Sequence, residues 1–365
     1  MRLQVPFVFS LFQVCYPLII RSFISRFQSW RDQAYTNCMK ASRAITRYKK
    51  GSGFAYKNKA GDITDDSTIE YIQSLVIPPA WSDVTIDPSP KARVRAKGFD
   101  QAGRQQAIYN PNFRKKQEKK KFDRTLQFAK NLPKLRKQLE KDLRRKKLGK
   151  EKVLATIVTL IDQAYFRVGN EKYARANKSY GITTLRSKHT TVKGKSVTFD
   201  FIGKSGQQHI KTVTDSHIAG IIKQLDELPG HEIFRYQADD GSMHDLHSTD
   251  VNNYIKSAMG SEFSAKDFRT WGGTLVATTL LIGAERSPDE QIRNKTITEV
   301  VKQTAEKLGN TPTIARGSYI DPRVIKAYHN TSGIAAVKDS LDKIRPRKYM
   351  SRDEARLLHL LKAKN

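Results

Sequence analysis

The sequence predicts an α+β protein in two lobes: a small β-rich lobe followed by a larger, mainly α-helical one. Three observations lead there. Between residues 51 and 121, short alternating stretches are separated by Gly, Pro and Asp turns, the pattern of strands. Beyond residue 116, apolar residues recur mostly at i, i+3 and i+4, the period of helices with one covered face. A chain of 365 residues with 38% hydrophobic content can bury a core, and its length suits two domains. The expected division is an extension over residues 1–38, a β-rich lobe over 39–115 and a helical lobe over 116–365.

Residues 3–20 are mostly apolar, which admits a signal peptide or a membrane anchor. Pro6 and Pro17 break a helix there, Gln4 and Gln13 interrupt the run, and no small-x-small cleavage site follows. The favoured reading is an extension that is unstructured or not native, with Met39 as the true start. Gly51–Gly53 and Gly61-Asp62 then mark turns. Residues 63–77 read as a short helix stopped by Pro78-Pro79, and residues 81–86, 93–99 and 106–109 alternate as strands.

Residues 114–150 are intensely basic, with Leu126, Phe128, Leu132, Leu135, Leu139 and Leu143 at roughly helical spacing. Residues 110–121 are the expected linker, and Pro133 is expected to start a second helix. Residues 151–185 read as helical. Residues 190–212 return to alternation, with Lys193-Gly194-Lys195 as one hairpin turn and Lys204-Ser205-Gly206 as another. From Asp215 onward the expected helices are 218–228, 248–259, 266–283, 288–308, 321–329 and 352–363, with Pro229 and Gly309 as terminators.

The formal net charge is +30. Such a charge repels itself unless a polyanion compensates it, so nucleic acid is the expected partner and an anionic membrane surface the alternative. Cys15 and Cys38 are the only cysteines, which excludes a disulfide framework and a cysteine zinc site. His189, His209, His231, His244 and His247 lack metal-ligand spacing and read as surface or satisfied histidines. Gly203-Lys204-Ser205-Gly206 lacks the spacing of a nucleotide-binding loop, so an NTPase is rejected.

The chemistry suggested by residue types is attack by a tyrosine. A phenol with a pKa near ~10 is a poor nucleophile until cations stabilise the charge that develops. Upstream of Tyr319 the chain supplies Arg167, Lys204 and Arg269 in that order. A half-buried aromatic of no special role is the plain alternative for Tyr319.

Several blocks together are more specific. Pro78-Pro79-Ala80-Trp81, Gly103-Arg104-Gln105, Arg167-Val168-Gly169-Asn170-Glu171, Phe201-Ile202-Gly203-Lys204-Ser205-Gly206, Lys266-Asp267-Phe268-Arg269-Thr270-Trp271 and Ser318-Tyr319 fall in the order and spacing of a known family. The chain resembles the bacterial, poxvirus-like type IB DNA topoisomerases over about residues 50–345. The resemblance implies a clamp of two lobes around double-stranded DNA, which relaxes supercoils by single-strand cleavage and resealing without ATP, metal or other cofactor. It implies Tyr319 as nucleophile, Arg167 and Arg269 as stabilisers of the phosphoryl transition state, Lys204 as general acid and Asn310 as a hydrogen-bond donor to a phosphate oxygen. The duplex-contacting set it suggests is Arg95, Lys97, Arg104, Gln105, Lys188 and Lys266. It further implies a monomer in the cytoplasm, associated with the nucleoid and not with a membrane.

Two positions depart from the family pattern. Asn310 stands nine residues before Tyr319, where many relatives carry His, and Arg95 stands where Gln is expected. A tyrosine recombinase is the near alternative, but it usually carries His three residues before the second Arg, and here that residue is Lys266. A non-catalytic basic DNA-binding protein is the alternative from another class, and it would have no use for the ordered Arg–Lys–Arg–Tyr set.

Overall fold

The computed structural model describes residues 44–285, 287–330 and 334–362. The apolar run at residues 3–20 and the candidate start at Met39 lie outside them. The chain divides into two compact units after Glu118.

The first unit holds six strands, β1 (Ile45–Lys50), β2 (Gly53–Asn58), β3 (Gly61–Asp62), β4 (Ser82–Ile86), β5 (Val94–Phe99) and β6 (Gln105–Tyr109), and one short helix, α1 (Asp66–Ser74). They form an antiparallel sheet in the order β3-β2-β1-β4-β5-β6. Alternation puts Ile45, Val84, Ile86 and Ala96 on the covered face, where Ile72 and Leu75 from α1 and its end pack against them. Asp65 caps α1 by accepting from the Thr68 N–H. The Pro78–Trp81 segment is closed by the Trp81 N–H on Pro78 O, and one side chain gathers its carbonyls. Arg47 donates to the carbonyls of Ile77, Pro78, Pro79 and Trp81, so this block is an architectural loop.

The second unit begins inside a helix. Helix α2 (Pro111–Leu143) runs unbroken through Pro133, so the expected linker at residues 110–121 is helical from Pro111 and contains the division after Glu118, while Pro133 starts no new helix. An interior proline costs about 3 kcal/mol. The same helix buries Phe128, Leu132, Leu135 and Leu139 in the main core, each stabilising by about 1.5–3 kcal/mol. Burial outweighs the missing hydrogen bond.

Helix α3 (Lys150–Ala164) is buried continuously from Lys152 to Ile161 and forms the centre of this unit. The helical reading of 151–185 breaks after it. A short helix α4 (Glu171–Asn177) and 3-10 turns at Ile182–Thr184 and Ser187–His189 follow. Strands β7 (Thr190–Lys193), β8 (Ser196–Ile202) and β9 (Gln208–Thr214) make an antiparallel sheet, with both hairpin turns where the glycines predict them.

Helices α5 (Ser216–Asp226), α6 (Ser248–Met259), α7 (Ala265–Gly283), α8 (Glu290–Leu308), α9 (Pro312–Ser318), α10 (Pro322–His329), α11 (Ile334–Asp342) and α12 (Arg352–Lys362) complete the unit. The small hairpin of β10 (Arg235–Gln237) and β11 (Met243–Asp245) interrupts them.

Candidate active site

The site is built on two helix ends. Helix α3 stops at Tyr165, whose φ of 56° is left-handed. A non-glycine residue in that region is strained by about 1–3 kcal/mol, and such strain persists where the surroundings over-determine it. Here they do, because Gly272 on α7 leaves the space that the Tyr165 ring fills. A Cβ on Gly272 would lie 2.1 Å from Tyr165 Cε1. Helix α8 stops at Gly309, with φ 60° and an N–H directed to Ala305 and Glu306.

Both helices leave unpaired terminal carbonyls, and cations take them. Arg269, on the second turn of α7, donates from Nη1 to Tyr165 O at 2.6 Å and from Nη2 to Leu308 O at 2.8 Å. Arg167 donates from Nη2 to Gly309 O at 2.8 Å and to Asn310 Oδ1 at 2.5 Å. Among the described residues neither arginine forms a salt bridge.

Burial is the first cause that lowers both arginine pKa values. Arg269 then lowers that of Arg167, to about 10, and the Tyr319 phenol opposes the shift in each. Arg269 Nε and Asn310 Nδ2 are buried with no hydrogen-bond partner. Buried donors of this kind are costly unless something accepts from them. A tetrahedral anion would.

Tyr319 follows α9, a helix begun by the Thr311 cap and Pro312. Its ring centroid lies 5.2 Å from Arg269 Cζ. Three contacts hold its backbone. Thr274 Oγ1 lies 3.1 Å from Tyr319 O and accepts from the Asp321 N–H. Lys121 donates to Ser318 O at 2.8 Å. Gly273 admits the chain closely, since a Cβ there would stand 2.9 Å from Tyr319 O.

Lys204 stands apart from this cluster. It opens a 3-10 turn at the β8–β9 tip, beside Ser205 with φ 64°, and it is exposed. Its ammonium makes no hydrogen bond or ion pair among the described residues.

The tip is tied to the cluster by His209 on β9, which is buried. A Cβ on Gly203 would lie 2.4 Å from His209 Cδ2, and one on Gly309 would lie 2.0 Å from Cε1. The imidazole therefore fills the gap between the Lys204 turn and the end of α8. Its Nε2 is 3.4 Å from Arg167 Nη1. Burial, then Arg167, Lys211 and Arg269, push its pKa down to about 4, so the neutral ring accepts from the guanidinium. Metal-ligand spacing gave no reason to place this histidine in the site.

The duplex-contacting candidates are spread over both units. Arg95 and Lys97 lie on β5, and Arg95 Nε donates to Pro90 O. Arg104 is paired with Asp100 at 2.8 Å, and Gln105 opens β6. Lys188 lies in the Ser187–His189 turn and Lys266 in the first turn of α7, and both are exposed.

A model of the eukaryotic DNA topoisomerase I catalytic core matches residues 110–346, more than half of the chain. The chain belongs to the type IB DNA topoisomerases. A model of the bacterial DNA topoisomerase IB N-terminal domain matches residues 53–100.

Among individual family members, the chain is 36% identical over 296 residues to DNA topoisomerase 1B of Acanthamoeba polyphaga mimivirus, covering 78% of this chain and 88% of that one. It is 25% identical over 295 residues to DNA topoisomerase 1B of vaccinia virus, strain Copenhagen, covering 76% and 88%. Over 157 residues it is 30% identical to DNA topoisomerase 1 of Schizosaccharomyces pombe, covering 42% of this chain and 18% of that one. The β-rich unit and the larger helical unit are the fold that the family resemblance predicts.

Proposed function

We propose that the protein relaxes supercoiled duplex DNA by transient cleavage of one strand, with Tyr319 as the nucleophile. The observation that carries this reading is the grouping of Tyr319 with Arg269, Arg167 and Asn310, together with the unpartnered buried donors on Arg269 and Asn310.

Tyr319 Oη forms a bond to the scissile phosphorus as the P–O5′ bond breaks, and the phenol proton leaves to water. The two guanidiniums and the Asn310 amide take the non-bridging oxygens, whose charge grows in the transition state. A 5′-alkoxide is a poor leaving group and needs a proton. Lys204 supplies it, from a hairpin tip with no fixed partner, an effect of about 10²–10⁴-fold in rate. The 3′-phosphotyrosine keeps the energy of the broken ester. After the free end swivels, the 5′-hydroxyl attacks the phosphorus, Tyr319 leaves and the strand is resealed. Neither nucleotide nor metal enters the balance.

Arg95, Lys97, Arg104, Gln105, Lys188 and Lys266 are proposed to grip the duplex. Of these, Arg104 must first exchange its Asp100 partner for phosphate. The protein is proposed to act as a monomer, closing as a clamp on chromosomal DNA in the cytoplasm.

The test is relaxation of negatively and positively supercoiled plasmid in EDTA without nucleotide. Relaxation of both is expected. Strict dependence on magnesium or ATP would overturn the proposal.

A further inference from the structure

None of the steps above uses Lys211. It lies on β9 two residues from His209, so the two side chains share the covered face, opposite Phe199 and Phe201 on β8. Its Nζ is 2.6 Å from Ala164 O and 3.3 Å from Lys307 O, and 5.6 Å from the centroid of the Phe166 ring.

Those two carbonyls have a particular position. Ala164 and Tyr165 are consecutive at the end of α3, and Lys307 and Leu308 are consecutive at the end of α8. Arg269 bridges Tyr165 O to Leu308 O. Lys211 bridges Ala164 O to Lys307 O, one residue back on each helix.

We infer that Lys211 is a positioning residue of the phosphate site: its ammonium joins the ends of α3 and α8 and thereby fixes the spacing of Arg167 and Arg269. The inference rests on the phosphodiester reading of the site. Arg167 leaves the end of α3 by two residues, and Arg269 and Arg167 take their acceptors from residues 308 to 310 of α8 and its cap. A change in the gap between the two helix ends therefore moves both guanidiniums. Displacement by about 1 Å can cost about 10²-fold in rate.

The electrostatics add a signature. The groups facing Lys211 are Arg167 from the loop after α3, His209 from its own strand, Arg269 from α7 and Lys307 from α8. No carboxylate contributes to its shift. Burial, then Arg269, Arg167 and Lys307, hold its pKa down to about 7. The free protein is therefore part-protonated at Lys211 near neutral pH. A phosphate anion reverses the local field and favours the charged form. Binding of DNA should then draw in a proton, and more so at pH 8 than at pH 6, where Lys211 is already charged. His209, neutral across that range, contributes little.

The test uses the full chain in two arms. In the first, DNA binding by Tyr319→Phe is followed by calorimetry in two buffers of different ionisation enthalpy, with and without Lys211→Met. Net proton uptake that rises from pH 6 to 8 and disappears with Lys211→Met is expected. Equal uptake with and without Lys211 would overturn the inference.

In the second arm, single-turnover cleavage is measured with Tyr319 intact. Lys211→Met should slow cleavage by about 10²-fold and weaken DNA binding more at pH 6 than at pH 8, as the linked proton uptake requires. Lys211→Arg should recover part of the rate and flatten the profile between pH 6 and 8, because its charge does not titrate there. Unchanged rate and pH profile in both variants would also overturn it. Should Lys211→Met not fold, the Lys211→Arg profile alone decides, and an unflattened profile refutes the inference. Absence of cleavage by the wild-type chain refutes the reading of the site and is seen separately.

Discussion

The two places that carry positive charge to the proposed phosphate are built in opposite ways. Arg269 is 3% exposed, with both terminal nitrogens committed to carbonyls at two helix ends. Lys204 is exposed on a three-residue turn and has no partner among the described residues. A group that stabilises charge at a fixed place gains from being held before the substrate arrives. A group that must deliver a proton and later recover it gains from freedom to move. Helix ends suit the first task because their carbonyls and dipoles hold a guanidinium without a carboxylate that would neutralise it. A hairpin tip suits the second.

Breaking the fixed side gives the largest effects. Tyr319→Phe removes the oxygen proposed to attack and leaves the ring beside Arg269. Cleavage should vanish, below detection in a covalent-adduct assay, while DNA affinity in a filter-binding or anisotropy titration stays nearly unchanged. Arg167→Ala and Arg269→Ala should each lower single-turnover cleavage by about 10²–10³-fold or more, the range for loss of a transition-state donor. Arg269→Ala should also lower the melting temperature, because Tyr165 O and Leu308 O lose their partner.

The mobile side is sharpened by changing the leaving group. Lys204→Ala should slow cleavage of an ordinary 5′-oxygen by about 10²–10⁴-fold. The rate should return to near the parent value when the bridging oxygen is replaced by sulfur, since a thiolate leaves without a proton. If sulfur restores nothing, Lys204 is not the acid, and Arg167 becomes the first candidate. The melting temperature should not change, in contrast to Arg269→Ala.

The smallest effect is expected at Asn310. It gives Arg167 an acceptor and holds a spare buried amide. Asn310→Ala should be milder than either arginine change, because a neutral donor is lost and no charge. Asn310→His should retain activity, because a ring nitrogen can also donate to the phosphate. A loss as large as that of Arg269→Ala would show that the amide orients Arg167.

The same contrast explains what the sequence reveals. Helices with one covered face declare themselves by period, and α6 falls on the expected residues 248–259. Tyr319, Arg167, Arg269 and Lys204 stand in recognisable blocks. Other parts of the site have no local signal. His209 and Lys211 occupy ordinary alternating positions on β9, and only tertiary packing sets them against the ends of α3 and α8. Gly272 and Gly273 look like weak points in a helix, yet each admits a close neighbour, Tyr165 or Tyr319. Helix α9 is too short for a period, and the β10–β11 hairpin too short for alternation. Pro133 misleads because a local rule is overruled by burial along the rest of α2.

The central claim is that Tyr319 becomes bonded to DNA. The wild-type chain is incubated in EDTA with a duplex whose cleaved strand loses its 5′ end by diffusion, then denatured, digested with trypsin and analysed by mass spectrometry. The account predicts a covalent nucleotide adduct on the peptide of residues 317–323, with the phosphate joining Tyr319 Oη to the 3′ oxygen of the DNA. An adduct on another residue, or cleavage that leaves no adduct, would contradict it.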